Sequence, residues 1–121
     1  MKTPLPKLTS LVKNIFLTCG MSDSDADLLA DSLIFADLGG IHSHGVIRVP
    51  EYVKKLTTEG VNPQGKPFVA HKTGACIVID GDNTMGQIGS HFAMQQSMQA
   101  AEEHGIGCAA IRGSNHCGAL A

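Results

Sequence analysis

The sequence predicts an α/β protein in which helices come first and a strand-helix-strand unit follows. Apolar residues recur at three- and four-residue steps through much of residues 1–60, a pattern typical of amphipathic helices. A β-rich run, a longer helical pattern and a second apolar run then follow one another between residues 75 and 111. This order indicates two parallel strands joined by a helix.

Composition and length narrow the class of protein and its partners. The chain has 121 residues, of which 43% are hydrophobic, enough for a core of ordinary size. Its 9 basic and 11 acidic residues are dispersed, so no basic stripe indicates nucleic acid. Apolar runs are short, no signal peptide is visible, and the four cysteines form no Cys-x-x-Cys pair. We expect a cytoplasmic protein with reduced cysteines and neither a nucleic-acid nor a membrane partner.

Two helices are predicted before residue 41. The first has its apolar positions at Leu8, Leu11, Val12, Ile15 and Cys19. Gly20 ends it. Ser22 is typical of a helix N-cap and is followed by acidic residues in the first turn of the second helix. Gly39 and Gly40 end this second helix, and the two helices are expected to pack as a hairpin.

The stretch that follows carries an unusual density of polar side chains. It runs from Asp37 to Tyr52 and contains His42, Ser43, His44 and Arg48. A fold does not need so many titratable groups at one helix junction, so the stretch is interpreted as half of an active site. His42 by itself is interpreted as a solvated or capping loop residue.

A third helix is predicted within this stretch, with its start defined only to within several residues. Ser43 caps it, Pro50 lies in its first turn or kinks it, and Gly60 ends it. If it begins near Ser43, His44 and Arg48 lie one turn apart on one face, and Tyr52 continues that face.

Three parts are therefore predicted along the chain. Residues 1–60 form a helical region carrying the site motif, and residues 61–74, rich in proline and glycine, form a connection. Residues 75–121 begin an α/β domain, with a strand at 75–80, a helix at 86–104 and a strand at 106–111.

His116, in the loop after the second of these strands, is the other candidate functional group. Ligand sites in α/β folds gather at the carboxyl ends of strands. No final helix follows to cover the sheet. We therefore expect the chain to be the N-terminal part of a longer protein, inactive alone.

The residue types suit one chemistry. Arg48 offers a planar fork for a carboxylate, and Ser43 and Tyr52 offer neutral hydrogen bonds. An imidazole gives or takes a proton near neutral pH. These groups suit a small-molecule 2-oxo or 2-hydroxy acid. No side chain carries hydride, so a nicotinamide cofactor would be required.

Other interpretations were weighed on the same residues. A His-x-His pair can bind metal, but no carboxylate or thiol stands at suitable spacing, so no metal site is predicted. Gly81, Gly86 and Gly89 lie between strand and helix, but Gln87 stands where a nucleotide-binding P-loop has lysine. An anion contact at that helix start stays open. The rival function is a non-catalytic binding or metal-holding domain, complete at 121 residues.

Four motifs occur in order along nearly the whole chain. They are Gly40-Ile41-His42-Ser43-His44-Gly45 with Arg48, Pro50 and Tyr52; Asp80-Gly81-Asp82-Asn83 with Gly86-Gln87; Gly105-Ile106-Gly107; and Ser114-Asn115-His116-Cys117-Gly118-Ala119. Together they resemble the type 2 malate/L-lactate dehydrogenase family, which includes ureidoglycolate and sulfolactate dehydrogenases. The resemblance implies a homodimeric oxidoreductase for 2-hydroxy acids, using NAD or NADP in a larger non-Rossmann fold.

The resemblance also implies roles for individual residues. It makes His44 and His116 alternative proton donors or acceptors, and Arg48 the ligand of the substrate carboxylate with Ser43 and Tyr52 beside it. Asn115 and Gly118 are predicted cofactor contacts, the remaining ones lying beyond residue 121. Where many family members have an aromatic residue, this chain has Cys117.

Overall fold

The computed structural model describes residues 3–58 and 60–119. The outermost predicted positions and Glu59 lie outside these described residues. Along them the elements are α1 (Leu5–Thr18), α2 (Asp23–Leu38), two 3-10 turns (His42–His44 and Val46–Arg48), α3 (Val49–Thr58), β1 (Phe68–Thr73), β2 (Cys76–Asp80), α4 (Gly86–His104) and β3 (Cys108–Arg112). The predicted α/β class, with helices first and a strand-helix-strand unit after them, is confirmed.

The described residues form two compact units. The helical unit contains the chain up to Gln64, together with Gly118 and Ala119, and the α/β unit is Gly65–Cys117. The division after Gln64 lies within the segment predicted to be a connection. In the part of the chain that the structure describes, no helix is both long and apolar enough to cross a membrane.

The first two helices form as predicted and pack against each other. The backbone at Gly20 has a φ of +91°, a left-handed conformation that favours glycine after α1. The Ser22 hydroxyl accepts a hydrogen bond from the Asp25 backbone N–H at 3.2 Å and caps α2. The predicted inward position of Leu11 is wrong, since its side chain is 56% exposed. Helix α1 buries Val12, one of the predicted positions, and Phe16 one turn later.

The third helix begins at Val49, so the start near Ser43 is wrong and Pro50 lies in the first turn. Residues 42–48 form the two 3-10 turns, separated by Gly45 with an extended backbone. His44 and Arg48 are therefore not successive positions on one α-helical face. Side-chain contacts described below hold this segment in its turns.

The α/β unit contains the predicted strand, helix and strand. Strand β2 pairs with β3 in parallel, from Cys76 opposite Cys108 to Asp80 opposite Arg112. Helix α4 ends at Gly105, whose φ of +78° is left-handed. Buried residues of β2 and α4 form the core: Ile77, Ile79, Ala93 and Ala100.

Strand β1 was not predicted, because it lies in the segment interpreted as a connection. It pairs antiparallel with β2 across the two-residue turn Gly74-Ala75. Every residue of β1 is exposed, so the strand shows none of the alternating burial on which strand prediction depends. The glycine of the two-residue turn was the available signal, since Gly74 has a φ of +54°.

Candidate active site

Asp37 fixes the loop that carries the predicted site residues of the helical unit. Its Oδ2 atom accepts a hydrogen bond from the Val46 backbone N–H at 2.9 Å. Its Oδ1 atom lies 3.0 Å from His42 Nδ1. Gly45, between them in the loop, is buried, and a Cβ atom there would overlap the Asp37 carboxylate. No role in the site was predicted for Asp37.

Ser43, His44 and Arg48 are brought together on this loop. Ser43 Oγ lies 2.9 Å from His44 Nδ1. The Nε–H of Arg48 donates to the backbone carbonyl of Ser43 at 2.7 Å. Ser43 thus contacts the imidazole through its hydroxyl and the guanidinium through its backbone carbonyl.

Glu51 orients the far end of the Arg48 side chain. Arg48 Nη1 lies 2.7 Å from Glu51 Oε2, and Lys55 Nζ lies 3.2 Å from Glu51 Oε1. The hydrogen bonds from Arg48, and then from Lys55, hold the pKa of the Glu51 carboxyl below its usual value. Two of the five N–H groups of the guanidinium are used in these described contacts. The others provide the chemistry for a carboxylate ligand.

Tyr52 belongs to the core of the helical unit. Its side chain is fully buried. Its ring centroid lies 6.5 Å from that of Phe16, with the planes tilted by 36°. This aromatic contact explains the burial of a residue that was predicted to lie beside the substrate. Its role in substrate binding stays a prediction.

In the α/β unit, two loops at the carboxyl ends of the parallel strands are tied together. The backbone N–H of Gly81 donates to the carbonyl of Arg112 at 2.8 Å, and that of Asn83 to the carbonyl of Gly113 at 2.9 Å. Asp82 and Asn83 have left-handed φ angles of 48° and 54°, a conformation that Asp and Asn tolerate better than most residues.

Asn115 fastens these two loops with its side chain. Its Nδ2 atom lies 2.8 Å from the Thr84 carbonyl, 3.0 Å from Asn83 Oδ1 and 3.2 Å from the Asn83 carbonyl. The amide hydrogens are thus directed at the turn after β2. The predicted contact of Asn115 with a cofactor stays a prediction, as does that of Gly118, whose φ is +84°.

His116 is half-buried and is held through its backbone. Its carbonyl accepts a hydrogen bond from the Gly86 N–H at 3.2 Å, at the start of α4. A Cβ atom at Gly86 would overlap the Asn115 carbonyl and lie 2.7 Å from the Cα atom of Cys117. Only glycine therefore allows this close approach.

Asp80 and Arg112 form a second fixed pair at the ends of β2 and β3. Arg112 Nε lies 2.9 Å from Asp80 Oδ2. The Asp82 backbone N–H donates to Asp80 Oδ1 at 3.0 Å. The hydrogen bond from Asp82, followed by that from Arg112, holds the pKa of Asp80 below its ordinary value.

The predicted site residues thus form two described groups. Ser43, His44 and Arg48 lie together in the helical unit, and Asn115 and His116 lie in the α/β unit. Asp37, Asn83 and Gly86 were missed as positioning residues. Asn83 and Gly86 belong to the second motif and Asp37 begins the polar stretch, but no sequence pattern marks the contacts that these residues make. Among residues 3–58 and 60–119, no three His, Cys, Asp or Glu side chains are grouped to hold a metal ion.

Comparisons with known proteins agree with the motifs. The malate/L-lactate dehydrogenase family model matches residues 3–121. A malate dehydrogenase of Pyrococcus abyssi is 36% identical over 117 residues, covering 97% of this chain and 32% of that protein. Ureidoglycolate dehydrogenase (NAD(+)) of Escherichia coli K12 is 31% identical over 121 residues, covering 99% and 34%.

The fold is shared with solved structures as well. The malate dehydrogenase from Pyrococcus horikoshii OT3 matches with a TM-score of 0.93 at 35% identity, covering 98% of this chain and 34% of that one. The chain therefore spans about a third of the length of the relatives it matches.

Proposed function

Since the chain belongs to the malate/L-lactate dehydrogenase family, we propose that its protein is an NAD(P)-dependent oxidoreductase of 2-hydroxy and 2-oxo acids. The observation that carries the proposal is the hydrogen-bonded group of Ser43, His44 and Arg48. An imidazole and a guanidinium fixed on one short loop suit a substrate that has both a carboxylate and a carbonyl or hydroxyl group.

Arg48 is assigned to the substrate carboxylate. Its contacts to the Ser43 carbonyl and to Glu51 fix the plane of the guanidinium. A planar fork held in place loses less side-chain entropy when a carboxylate binds through its remaining N–H groups. Glu51 also balances part of the positive charge, which moderates the affinity for anions.

A histidine is assigned to the proton. In the reductive direction the protonated imidazole of His44 or of His116 donates a proton to the 2-oxo oxygen as hydride reaches its carbon. In the oxidative direction the neutral imidazole takes the hydroxyl proton. Ser43 contacts the His44 ring at Nδ1, so in this proposal Ser43 orients that ring.

The start of α4, where the sequence left an anion contact open, has three backbone N–H groups bound within the chain. At the start of α4 the backbone N–H of Gly86 donates to His116, and those of Ile88 and Gly89 donate to the Met85 carbonyl. The close approach at Gly86 is filled by the chain's own backbone. We therefore assign no cofactor contact to this helix start, and the roles above concern only proton transfer and carboxylate binding.

The test is a steady-state assay of the protein encoded by the complete natural reading frame. Oxidation of NADH and of NADPH is followed with a panel of 2-oxo acids, which also decides between the two cofactors. Arg48→Ala and His116→Ala are each expected to lower turnover at least about 10²-fold, the usual scale for a lost acid, base or clamp group. His44→Ala shows by the same measure which histidine handles the proton.

Matched controls separate these roles from general damage. His91→Ala removes an exposed imidazole whose described contact is with Gln95 on the same helix, and Lys7→Ala removes an exposed cation from α1. Both are expected to keep the rate of the unaltered protein. A near-unaltered rate in Arg48→Ala or in His116→Ala would remove that residue from the mechanism. Absence of activity with every 2-oxo acid and both cofactors would overturn the proposed function.

The proposal extends to assembly and location. We infer a homodimer in the cytoplasm, supported by the family membership. Light scattering of the purified protein would contradict the first part if it gave the mass of one chain.

A further inference from the structure

We propose that Asp37 is a positioning residue for the dehydrogenase reaction. In this proposal its carboxylate holds residues 42–46 in the conformation that presents Ser43, His44 and Arg48 to the substrate. The inference rests on the proposed function for its catalytic consequence. Its structural part can be tested without activity.

The carboxylate bridges both ends of the segment that carries the site. Oδ1 contacts the His42 ring at 3.0 Å, and Oδ2 accepts from the Val46 N–H at 2.9 Å. Ser43 and His44 lie between these two anchor points. Two contacts from one side chain thus close a five-residue segment that has no α-helical hydrogen bonding.

Helix stability does not explain an acidic residue at this position. Asp37 lies in the last turn of α2, where a negative charge interacts unfavourably with the helix dipole. The favourable acidic positions of this helix are at its other end, at Asp23 and Asp25. The described contacts of the Asp37 carboxylate are with residues five and nine positions later. The carboxylate is therefore explained by the loop and not by the helix.

Gly45 is complementary to Asp37. It is buried, and a Cβ atom at this position would overlap both carboxylate oxygens. Its φ of −88° is accessible to any residue, so the requirement for glycine comes from the carboxylate and not from backbone conformation. The Asp37 carboxylate therefore occupies its position only because residue 45 is glycine.

The effect of Asp37 reaches Arg48 through the backbone. Arg48 Nε donates to the Ser43 carbonyl at 2.7 Å, so a displaced Ser43 also displaces the guanidinium. The described contacts of the carboxylate are with the His42 ring and the loop backbone, whereas the His44 ring is contacted by Ser43. Asp37 accordingly acts through the loop. It does not itself handle the substrate proton.

The first test measures kinetics with 2-oxo acid. Asp37→Ala is expected to lower kcat/KM about 10- to 100-fold, by analogy with the loss found when residues that orient metal ligands are removed. Most of the loss is expected as a raised KM, because the clamp on the carboxylate moves. Asp37→Asn keeps one acceptor oxygen and the side-chain shape, so it should retain more activity and serves if the alanine variant does not fold. Asp31→Ala, an exposed acid on the same helix, is the matched control.

A double-substitution cycle separates positioning from general destabilisation. Gly45→Ala is expected to be strongly harmful alone, because the methyl group displaces the carboxylate. In the Asp37→Ala background the same substitution should cost much less in kcat/KM, since the overlapping atoms are gone. Additive losses in the cycle would overturn the proposed coupling.

A third measurement does not depend on activity. The Val46 amide should exchange its hydrogen with solvent faster in Asp37→Ala than in the unaltered protein and in Asp31→Ala. Unchanged protection of Val46 would overturn the loop contact. Lost protection with an unchanged kcat/KM would overturn the catalytic role. If the unaltered protein has no dehydrogenase activity, the proposed function fails, while the exchange result still decides the contact.

Discussion

The guanidinium of Arg48 contacts other residues of the chain and is also the group proposed to bind the substrate. Nε is bound to the Ser43 carbonyl and Nη1 to Glu51, which also contacts Lys55. A substrate carboxylate arriving at this guanidinium would lie near the negative charge of Glu51. The neighbouring acid therefore fixes the geometry of the arginine and opposes binding of an anion at the same time.

Neutralising Glu51 is expected to strengthen substrate binding. In Glu51→Gln the amide keeps the size of the side chain but removes the competing charge, so KM for a 2-oxo acid should fall about 2- to 5-fold, the modest scale of exposed charge interactions. The turnover number should stay close to that of the unaltered protein. Lys55→Gln is the control, because it alters the other contact of Glu51 and should not lower KM. A raised KM in Glu51→Gln would show that orientation of Arg48 outweighs repulsion.

For single residues, the sequence identified candidate functional side chains but did not determine whether each is buried or exposed. His44 and Arg48 were predicted to share one face of a helix that begins near Ser43. That start is wrong, and the structure instead joins Ser43, His44 and Arg48 on the loop before α3. Tyr52 was placed beside the substrate, yet its ring lies in the core against Phe16. A tyrosine has an apolar ring and a polar tip, so its type alone could not decide between the two environments.

Among the elements, those with an internal signal were predictable. Helices α1, α2 and α4 were predictable from the spacing of their apolar residues, from the Ser22 cap and from the glycines that end them. Strand β1 has no such signal, because its residues are exposed and it exists by pairing with β2. The start of α3 at Val49 was missed for a related reason. The turns before it depend on Asp37, a contact between positions that periodicity does not connect.

The start of α4 provides a matched pair of glycines for testing the loop contacts. Gly86 and Gly89 are both buried on this helix. A methyl group at Gly86 would overlap the Asn115 carbonyl, whereas one at Gly89 would meet only Ser114 Oγ at 3.7 Å, Ile111 Cγ2 at 3.9 Å and Thr84 Oγ1 at 4.0 Å. The atoms that face Gly86 belong to the backbone of residues 115–117, which cannot move aside without disturbing the loop. The atoms that face Gly89 are far enough away for a methyl group to fit.

Alanine at these two positions should therefore change stability in opposite directions. Gly86→Ala is expected to lower the free energy of unfolding by about 1–3 kcal/mol through overpacking. Gly89→Ala should raise it by about 0.5–1 kcal/mol, because alanine is the better helix residue. Urea unfolding followed by circular dichroism measures both. Equal losses in the two variants would contradict the close approach between α4 and the loop that holds His116.

On the scale of the whole chain, the fold class and the family were within reach of the sequence, and the family match over residues 3–121 confirms the latter. Each motif consists of residues close together in the sequence, so it can be recognised without knowing the fold. The sequence could not decide which of His44 and His116 handles the substrate proton. They belong to different units, so their assignment depends on distances that no local motif encodes.

Two carboxylates, one in each unit, couple the stability of the chain to pH. Glu51 in the helical unit has a lowered pKa because of hydrogen bonds from Arg48 and then Lys55. Asp80 in the α/β unit has a lowered pKa because of the hydrogen bond from the Asp82 N–H and then from Arg112. In both cases the folded chain binds its proton less readily than the unfolded chain does.

Acid should therefore destabilise both units. A carboxyl whose pKa is lowered by folding contributes stability that is complete above its unfolded value, near 4 for these side chains, and is lost as the pH falls through the folded value. The free energy of unfolding, measured by urea titration from neutral pH downward, should accordingly decrease below about pH 5. Asp80→Asn should weaken this dependence more than Arg112→Gln does, because the larger cause of the shift, the backbone hydrogen bond from Asp82, survives in the latter. Carboxyl NMR titrations should place the midpoints of Glu51 and Asp80 below those of the unfolded chain. Midpoints at or above the unfolded values would contradict both hydrogen-bonded arrangements.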